Sequence, residues 1–305
     1  KLQGLITTHS NEIARSVGLN SLRVIRQTEK SKSELFNLSK FRKSIENKKV
    51  KNVDKESEFL LQNFFDWFFE IGYSELIFAD KVILYEGDTE RLYIRKLLGM
   101  TEFASLRDNY IAFIQVGGAY AHNYLEILTM LKMKSLIITD LDYNKDATTF
   151  EIAKNSTSTN ATINHCYRLI YPEKGAAYLP SIKEIYEMQT EKGTVICNDL
   201  ICVAYQDENS TARTLEEAML NKFLSKNVFD KTKRSEWKSI RKNNNLTFTI
   251  PNNRNDETDS EFSIRQIVAA SSNNKTDFMY SVVLSGNEEK MLPDYIRKGL
   301  LWLAK

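Results

Sequence analysis

The feature that most narrows what this chain can fold into is a regular exchange of short apolar runs and amphipathic stretches from residue 81 onward. Lys81-Val82-Ile83-Leu84-Tyr85 has the length and β-branched content of a buried strand. Asp88–Leu98 has helical spacing, Tyr110–Val116 reads as a strand, His122–Lys132 as a helix and Ser135–Thr139 as another strand. Alternation of this kind predicts an α/β fold, a parallel sheet covered by helices. Val195–Tyr205 resumes strand character, Leu215–Leu224 reads as helix, and Pro293–Leu303 is an apolar-faced helix that brings Trp302 to a core or an interface.

The remaining segments are less regular. Leu5-Ile6-Thr7-Thr8 predicts a short strand running into a helix that starts at Asn11, with the strand's sheet partners upstream of residue 1. Residues 28–58 are rich in Lys, Glu, Ser and Asn and read as a solvent-facing helix or linker; Glu29, Glu34, Glu46, Asp54, Glu56 and Glu58 interrupt the basic run, which favours a solvated face over a DNA-binding arm. Leu60, Leu61, Phe64, Phe65, Phe68 and Phe69 form an aromatic stripe at helical spacing, expected in a core or a dimer contact. Residues 144–193, with a loop at 155–160, and the Lys/Asn-rich residues 225–262 read as two insertions in the α/β unit.

Composition excludes several classes. With 42 Lys+Arg against 40 Asp+Glu the net charge is +2, and 42% hydrophobic residues suffice for a core, so the chain is neither a disordered tail nor a purely basic nucleic-acid arm. The longest apolar candidate, residues 59–69, is broken by Gln62, Asn63 and Asp66, so no membrane span is expected. Cys166, Cys197 and Cys202 form no CxxC pair, and His122 and His165 offer no spacing that completes a zinc site; the expectation is a reduced, cytoplasmic protein. The chain opens on Lys1 and lacks a signal-peptide pattern, so it reads as a fragment of a longer protein.

Ligands of an open parallel sheet gather beyond the carboxyl ends of its strands, which directs attention to the acidic groups there. Strand 81–85 is followed by Glu86-Gly87-Asp88-Thr89-Glu90, and strand 135–139 by Asp140-Leu141-Asp142. Gly87 is expected to allow a sharp turn, Glu86 and Glu90 to point to one place, and Asp140 and Asp142 to share a face of an extended segment. Four carboxylates at one sheet edge would repel unless a cation neutralised them, and all-oxygen ligation suits Mg²⁺ or Mn²⁺. A Glu–Glu pair at i,i+4 is ordinarily a solvated helix face and a DxD ordinarily a loop; both directly after apolar strands of one sheet reverse that preference.

The apolar strand followed by Glu86-Gly87, a helix, and a strand ending in Asp140-x-Asp142 resembles the Toprim fold of topoisomerases, primases and related nucleases. Phe78–Glu90, Thr157–Ile163, Ala204-Tyr205-Gln206, Ala212–Ala218, Lys275–Phe278 and Tyr295–Leu303 together resemble the C-terminal half of overcoming-lysogenisation-defect (OLD) family nucleases, a group that includes the nuclease subunit of the Gabija anti-phage system. The resemblance implies metal positions at Glu86, Glu90, Asp140, Asp142 and Glu216, with Glu217 as an alternative to its neighbour, and a basic residue near the scissile phosphate at Lys275. It gives Glu86, Asp140, Asp142 and Lys275 catalytic roles in a two-metal DNA cleavage, the ions about 3.5–4 Å apart. Asp88 has no assigned role, and Gly117-Gly118 matches a glycine turn where backbone could approach metal or phosphate.

The resemblance also implies an organisation: residues 1–27 as the end of an ABC-type ATPase domain, with Ile6-Thr7-Thr8-His9-Ser10 as its His-switch element; 28–78 as a helical linker and dimerisation segment; 79–305 as the Toprim nuclease domain. No GxxxxGK[ST] occurs, so ATP enters only through the missing N-terminal domain. The implied partners are DNA, a second copy of the chain in a homodimer or higher oligomer, and a helicase-like partner subunit, in an anti-phage or DNA-processing setting. For DNA contact, Lys231, Lys233, Arg234, Lys238, Arg241 and Lys242 form a candidate patch, with a solvated lysine-rich surface as an equal reading. A topoisomerase would need a nucleophilic Tyr in a separate domain and a bacterial-type primase a zinc module; a Toprim scaffold that dimerises through residues 55–78 and regulates an ATPase without cutting is the alternative from another class.

Overall fold

The computed structural model describes residues 4–29, 31–40, 73–189, 194–253 and 258–305. Helix α1 (Asn11–Ser21) is followed by an antiparallel hairpin of β1 (Arg23–Glu29) and β2 (Lys32–Asn37). A 3₁₀ turn (Tyr73–Phe78) leads into β3 (Lys81–Tyr85), α2 (Asp88–Leu97), β4 (Ile111–Gln115), α3 (Leu125–Met130) and β5 (Lys134–Ile138). Helices α4 (Phe150–Lys154), α5 (Ala161–Ile170) and α6 (Ile182–Met188) precede β6 (Val195–Asn198) and β7 (Ile201–Ala204). Then come α7 (Leu215–Leu224), β8 (Lys231–Thr232), α8 (Arg234–Asn243), β9 (Phe262–Ser263), α9 (Ile264–Ala270), α10 (Lys275–Leu284) and α11 (Asp294–Ala304).

The central sheet has the order β4-β3-β5-β7-β6, with β3/β4, β3/β5 and β5/β7 parallel and only the edge strand β6 antiparallel. Its strands are apolar on both faces because both are covered. Val82, Leu84, Ile137 and Val203 join α3, α5 and α6 in one core, whereas Ile83, Tyr85, Leu136, Ile138 and Ala204 join α2, α7, α10 and α11 in the other. Alternation along each strand therefore divides the side chains between two cores. Helix α11 lies closest to the sheet at Gly299, where a Cβ would meet Leu136 Cδ1 at 2.9 Å and Ala204 Cβ at 3.1 Å.

The α/β expectation holds in kind and in detail: the predicted strands and helices between 81 and 139 all form, though the predicted helix 122–132 begins as a 3₁₀ turn (Ala121–Tyr124) before α3. Val195–Tyr205 is not one strand but a hairpin, turned at Asp199-Leu200. Leu5–Thr8 does not form a strand; no described residue pairs with it, and Leu5 and Ile6 are exposed. Residues 23–37 form a hairpin, whose second strand falls within the segment 28–58 where a helix or linker was expected. The reason is that β-branched Val24, Ile25 and Thr28 favour extended pairing, while only Val24 is buried deeply enough to leave a hydrophobic signal. Arg26 Nη1 donates to the Ala79 carbonyl (2.7 Å) and Lys132 pairs with Glu34 (2.7 Å), which ties the hairpin to the α/β unit. The aromatic stripe at residues 59–69, and with it most of the proposed dimerisation segment 28–78, lies outside the described residues. The proposed insertion 225–262 carries Trp237 and Phe248 into the second core, packed edge-on against each other.

Candidate functional site

Parallel register brings the ends of three adjacent strands level. Leu84 pairs with Ile137 and Ile138 with Ala204, so the residues that follow, Glu86, Thr139-Asp140 and Tyr205-Gln206, emerge side by side at one sheet edge. Glu86 Oε1 accepts hydrogen bonds from the Thr139 hydroxyl, the Asp140 backbone N–H (3.2 Å) and Asn160 Nδ2 (3.3 Å). Asp140 Oδ1 accepts from Gln206 Nε2 (2.8 Å) and from the backbone N–H of Leu215 (2.9 Å), the first residue of α7, whose positive dipole end favours an anion there.

Two helices deliver the other acids. Glu90, in the first turn of α2, reaches back so that Oε2 accepts from the Gly87 N–H (3.0 Å) and the Thr89 hydroxyl (3.1 Å). Gly87 is extended (φ −142°) rather than left-handed, so the turn does not require glycine for its backbone; the carboxylate of Glu90 lies 3.2 Å from where a Cβ would stand. Glu216, in the first turn of α7, meets Lys275 at the start of α10: Lys275 Nζ donates to Oε2 at 3.2 Å and lies 3.1 Å from Oε1, which accepts no hydrogen bond although buried.

A common pattern links Glu86, Asp140, Glu90 and Glu216. In each, one carboxylate oxygen is held by protein donors, and the other receives no hydrogen bond from a described residue, although in Glu216 that second oxygen is ion-paired with Lys275 at 3.1 Å. Their electrostatics agree with mutual proximity. Glu90 is pushed up to about 7 by burial, with Glu216 and Glu86 adding repulsion. Burial raises Asp140 well above the usual carboxylate range, reinforced by Glu86, Glu216, Glu90 and Asp142. Burial likewise raises Glu86. Burial alone would lower Lys275, but the negative charge of Glu216, Asp140 and Glu90 outweighs it and holds the ammonium protonated.

The other candidates are placed differently. Asp142 does not continue an extended segment: its φ is +50°, a conformation Asp tolerates better than most residues, and its carboxylate turns to Arg213 Nη2 at 3.2 Å. It still lies near enough to Glu86 and Lys275 to influence their charge. Both oxygens of Glu217 are engaged elsewhere: Oε2 accepts from the Arg213 N–H (2.7 Å) and Oε1 pairs with Arg265 (3.3 Å). Asp88 is exposed at the start of α2. Gly117 (φ +61°) and Gly118 (φ +98°) do form a left-handed turn beyond β4. His9 is exposed. In the basic patch, Arg234 is buried and stacks on Phe262, and Arg241 donates to the Phe248 carbonyl, leaving Lys231, Lys233, Lys238 and Lys242 as its exposed members.

A divalent cation is implied by the fold, and the donor set suits one. Clustered, buried carboxylates with raised proton affinity gain by neutralisation, and oxygen-only donors select hard ions. Among the described residues, no three His, Cys, Asp or Glu side chains stand together closely enough to hold a metal ion; Glu86, Glu90, Asp140 and Glu216, which act on one another's charge, would have to draw together around one. Sequence reasoning assigned no role to Thr139, Asn160, Gln206 or Arg213, whose side chains hold these acids. Their only signal was position, directly after a strand or within a segment carrying the resemblance.

Parts of the chain are similar to known proteins. The family described as "Overcoming lysogenization defect protein-like, TOPRIM domain" matches residues 77–142. Endonuclease GajA of Bacillus cereus (strain HuB5-5) is 28% identical over 244 residues, covering 76% of this chain and 32% of the relative, so the chain spans about a third of that protein's length. The C-terminal region of the Burkholderia pseudomallei OLD protein aligns at 18% identity with a TM-score of 0.41, covering 74% of this chain and 98% of that structure. No described helix is long and apolar enough to cross a membrane. With β3, β4 and β5 and the acids that follow β3 and β5 all inside the matched segment, residues 77–142 of the chain match an OLD-like TOPRIM domain.

Proposed function

We propose that the chain is the cleaving part of a larger nuclease, a cation-dependent phosphodiester hydrolase that acts on DNA with Mg²⁺ or Mn²⁺. The carrying observation is the group Glu86, Glu90, Asp140 and Glu216 at the carboxyl edge of the sheet, the first three each with one oxygen held and one that accepts no hydrogen bond from a described residue, the last paired with a protonated Lys275. When bound, divalent cations in such a site activate water and neutralise charge on the phosphate. The four carboxylates would hold them. Lys275, kept charged by its acidic neighbours, would pair with a phosphate oxygen as negative charge grows there. Arg213 restrains Asp142, so that Asp142 adds negative potential near Glu86 and Lys275 while tied in place.

A net charge of +2 supplies little long-range attraction for DNA, so contact would depend on local cations. Lys238 and Lys242, four residues apart on α8 and both exposed, suit successive phosphate contacts. Similarity to a protein named an endonuclease supports cleavage within a strand. An attached ATPase, a homo-oligomer and a role in defence against phage belong to the same reading.

The test is cleavage of supercoiled plasmid by the purified chain with Mg²⁺, Mn²⁺ or EDTA, beside Glu86→Ala and Lys275→Ala. Nicking or linearisation that needs the ion and is lost in both variants is expected. A folded wild type that leaves the plasmid intact with either ion would favour the non-cutting scaffold.

A further inference from the structure

We propose that the buried amides Asn160 and Gln206 are positioning residues of the carboxylate centre, each fixing one oxygen of an acid so that the other stays available to a cation. The inference rests on the functional reading above. Asn160 sits at the N-cap of α5 and is wholly buried. Its Nδ2 donates to Thr139 Oγ1 (2.6 Å), the Asp140 carbonyl (2.8 Å) and Glu86 Oε1 (3.3 Å), while its Oδ1 accepts from the Ile163 N–H (3.1 Å). Gln206, also wholly buried, donates through Nε2 to Asp140 Oδ1 (2.8 Å) and to the Tyr295 hydroxyl (3.1 Å), and its Oε1 accepts from the Leu141 N–H (2.7 Å).

Neither amide can reverse. A flipped Asn160 or Gln206 would set its carbonyl against a carboxylate and its NH₂ against a backbone N–H, losing bonds at both ends. The choice of amide is chemical: a Lys or Arg in either place would neutralise the acid and compete with a cation, and an Asp or Glu would add repulsion. An amide orients the carboxylate through donors that carry no net charge. Asn160 also joins segments remote in sequence, because the same side chain caps α5, holds the end of β5 through Thr139 and steadies Glu86 after β3. Gln206 does the same from the end of β7, reaching Asp140 after β5 and Tyr295 on α11.

The experiment measures Mn²⁺ binding by titration calorimetry and by the electron paramagnetic resonance of the bound ion, with plasmid cleavage alongside. The variants are Asn160→Ser, in which the hydroxyl can still cap α5, and Gln206→Met, which keeps the length and removes the donor. Asn164→Ala serves as a control: this residue of α5 donates its amide to the Ser158 carbonyl (2.9 Å), in the loop before the helix, and makes no hydrogen bond to an acid. Outer partners of metal ligands typically contribute about 10–100-fold to affinity or rate. Both positioning variants are therefore expected to bind Mn²⁺ about 10–100-fold more weakly, with a changed resonance and a lower kcat at unaltered KM for DNA; the control should match wild type. Either variant alone suffices if the other does not fold. Wild-type affinity and resonance in a folded Asn160→Ser or Gln206→Met, with binding lost in Glu86→Gln, would overturn the positioning role and leave the functional reading standing. Absence of Mn²⁺ binding by the wild type would overturn both.

Discussion

At the scale of single residues, neighbouring glutamates in one helical turn have opposite surroundings. Glu216 keeps a buried oxygen without a hydrogen bond next to Lys275, whereas Glu217 gives both oxygens to Arg213 and Arg265. Glu216→Gln should therefore weaken Mn²⁺ binding with little loss of stability. Glu217→Gln should preserve binding but lower stability by about 1.5–3 kcal/mol, the range for a hydrogen bond to a charged group. Calorimetric titration and denaturant unfolding of the two variants separate these outcomes. Glu90 makes a second prediction. It ionises at about 7 in the folded chain against a usual 4.5, chiefly because it is buried. Between those values the unfolded chain releases the proton and the folded chain retains it, so without a cation stability falls as pH rises from about 4.5 to 7, by about 3 kcal/mol in all. In EDTA, Glu90→Gln should remove that part of the decline and melt above wild type at pH 8, since the glutamine carbonyl can still accept from the Gly87 N–H. A melting temperature that follows the wild-type pH profile would refute the assignment.

At the scale of elements, the site depends on how tightly helices seat against the sheet. Helix α11 reaches β5 and β7 through Gly299, where any side chain would press on Leu136 and Ala204. Gly299→Val should destabilise by about 1–3 kcal/mol, as overpacking of a filled core does. Denaturant unfolding would show it as a lower midpoint. Because α11 also carries Tyr295, which accepts from Gln206, the same substitution should weaken Mn²⁺ binding beyond what lost stability explains. The residues read as an insertion at 144–193 contribute more than surface: Ser158 donates to the Leu141 carbonyl (2.7 Å), and Asn160 meets Glu86 and Asp140, so the polar loop within Thr157–Ile163 becomes part of the carboxylate edge.

At the scale of the whole molecule, three strand ends, three helix N-termini and one inserted loop meet at a site of high negative potential. Such a site opposes folding until a cation occupies it. Adding Mg²⁺ or Mn²⁺ at a hundredfold excess over its Kd should stabilise the chain by about 2.7 kcal/mol. Thermal unfolding should register this as a higher Tm at pH 7–8, absent in Glu86→Gln; an equal rise in both proteins would place the ion elsewhere.

The sequence by itself determined the α/β class and the strands and helices between residues 81 and 139, and it showed the acids Glu86, Glu90, Asp140 and Asp142 clustered next to the ends of two of those strands. These are local properties: apolar runs of strand length, helical spacing and the carboxylates directly after them are all written within a few residues of one another. The hairpin at 23–37 was illegible because a half-exposed strand carries little hydrophobic pattern. Only the tertiary structure decided which oxygens are held and by whom, since Asn160 lies 74 residues from Glu86 and Gln206 lies 66 from Asp140. It also set Glu216 apart from Glu217, turned Asp142 toward Arg213 through a left-handed backbone, and brought Cys197 to within 2.8 Å of Cys166. Hydrogen bonds and charge pairs act over a few ångströms in space without regard to separation along the chain, and strand register and helix seating fix those distances.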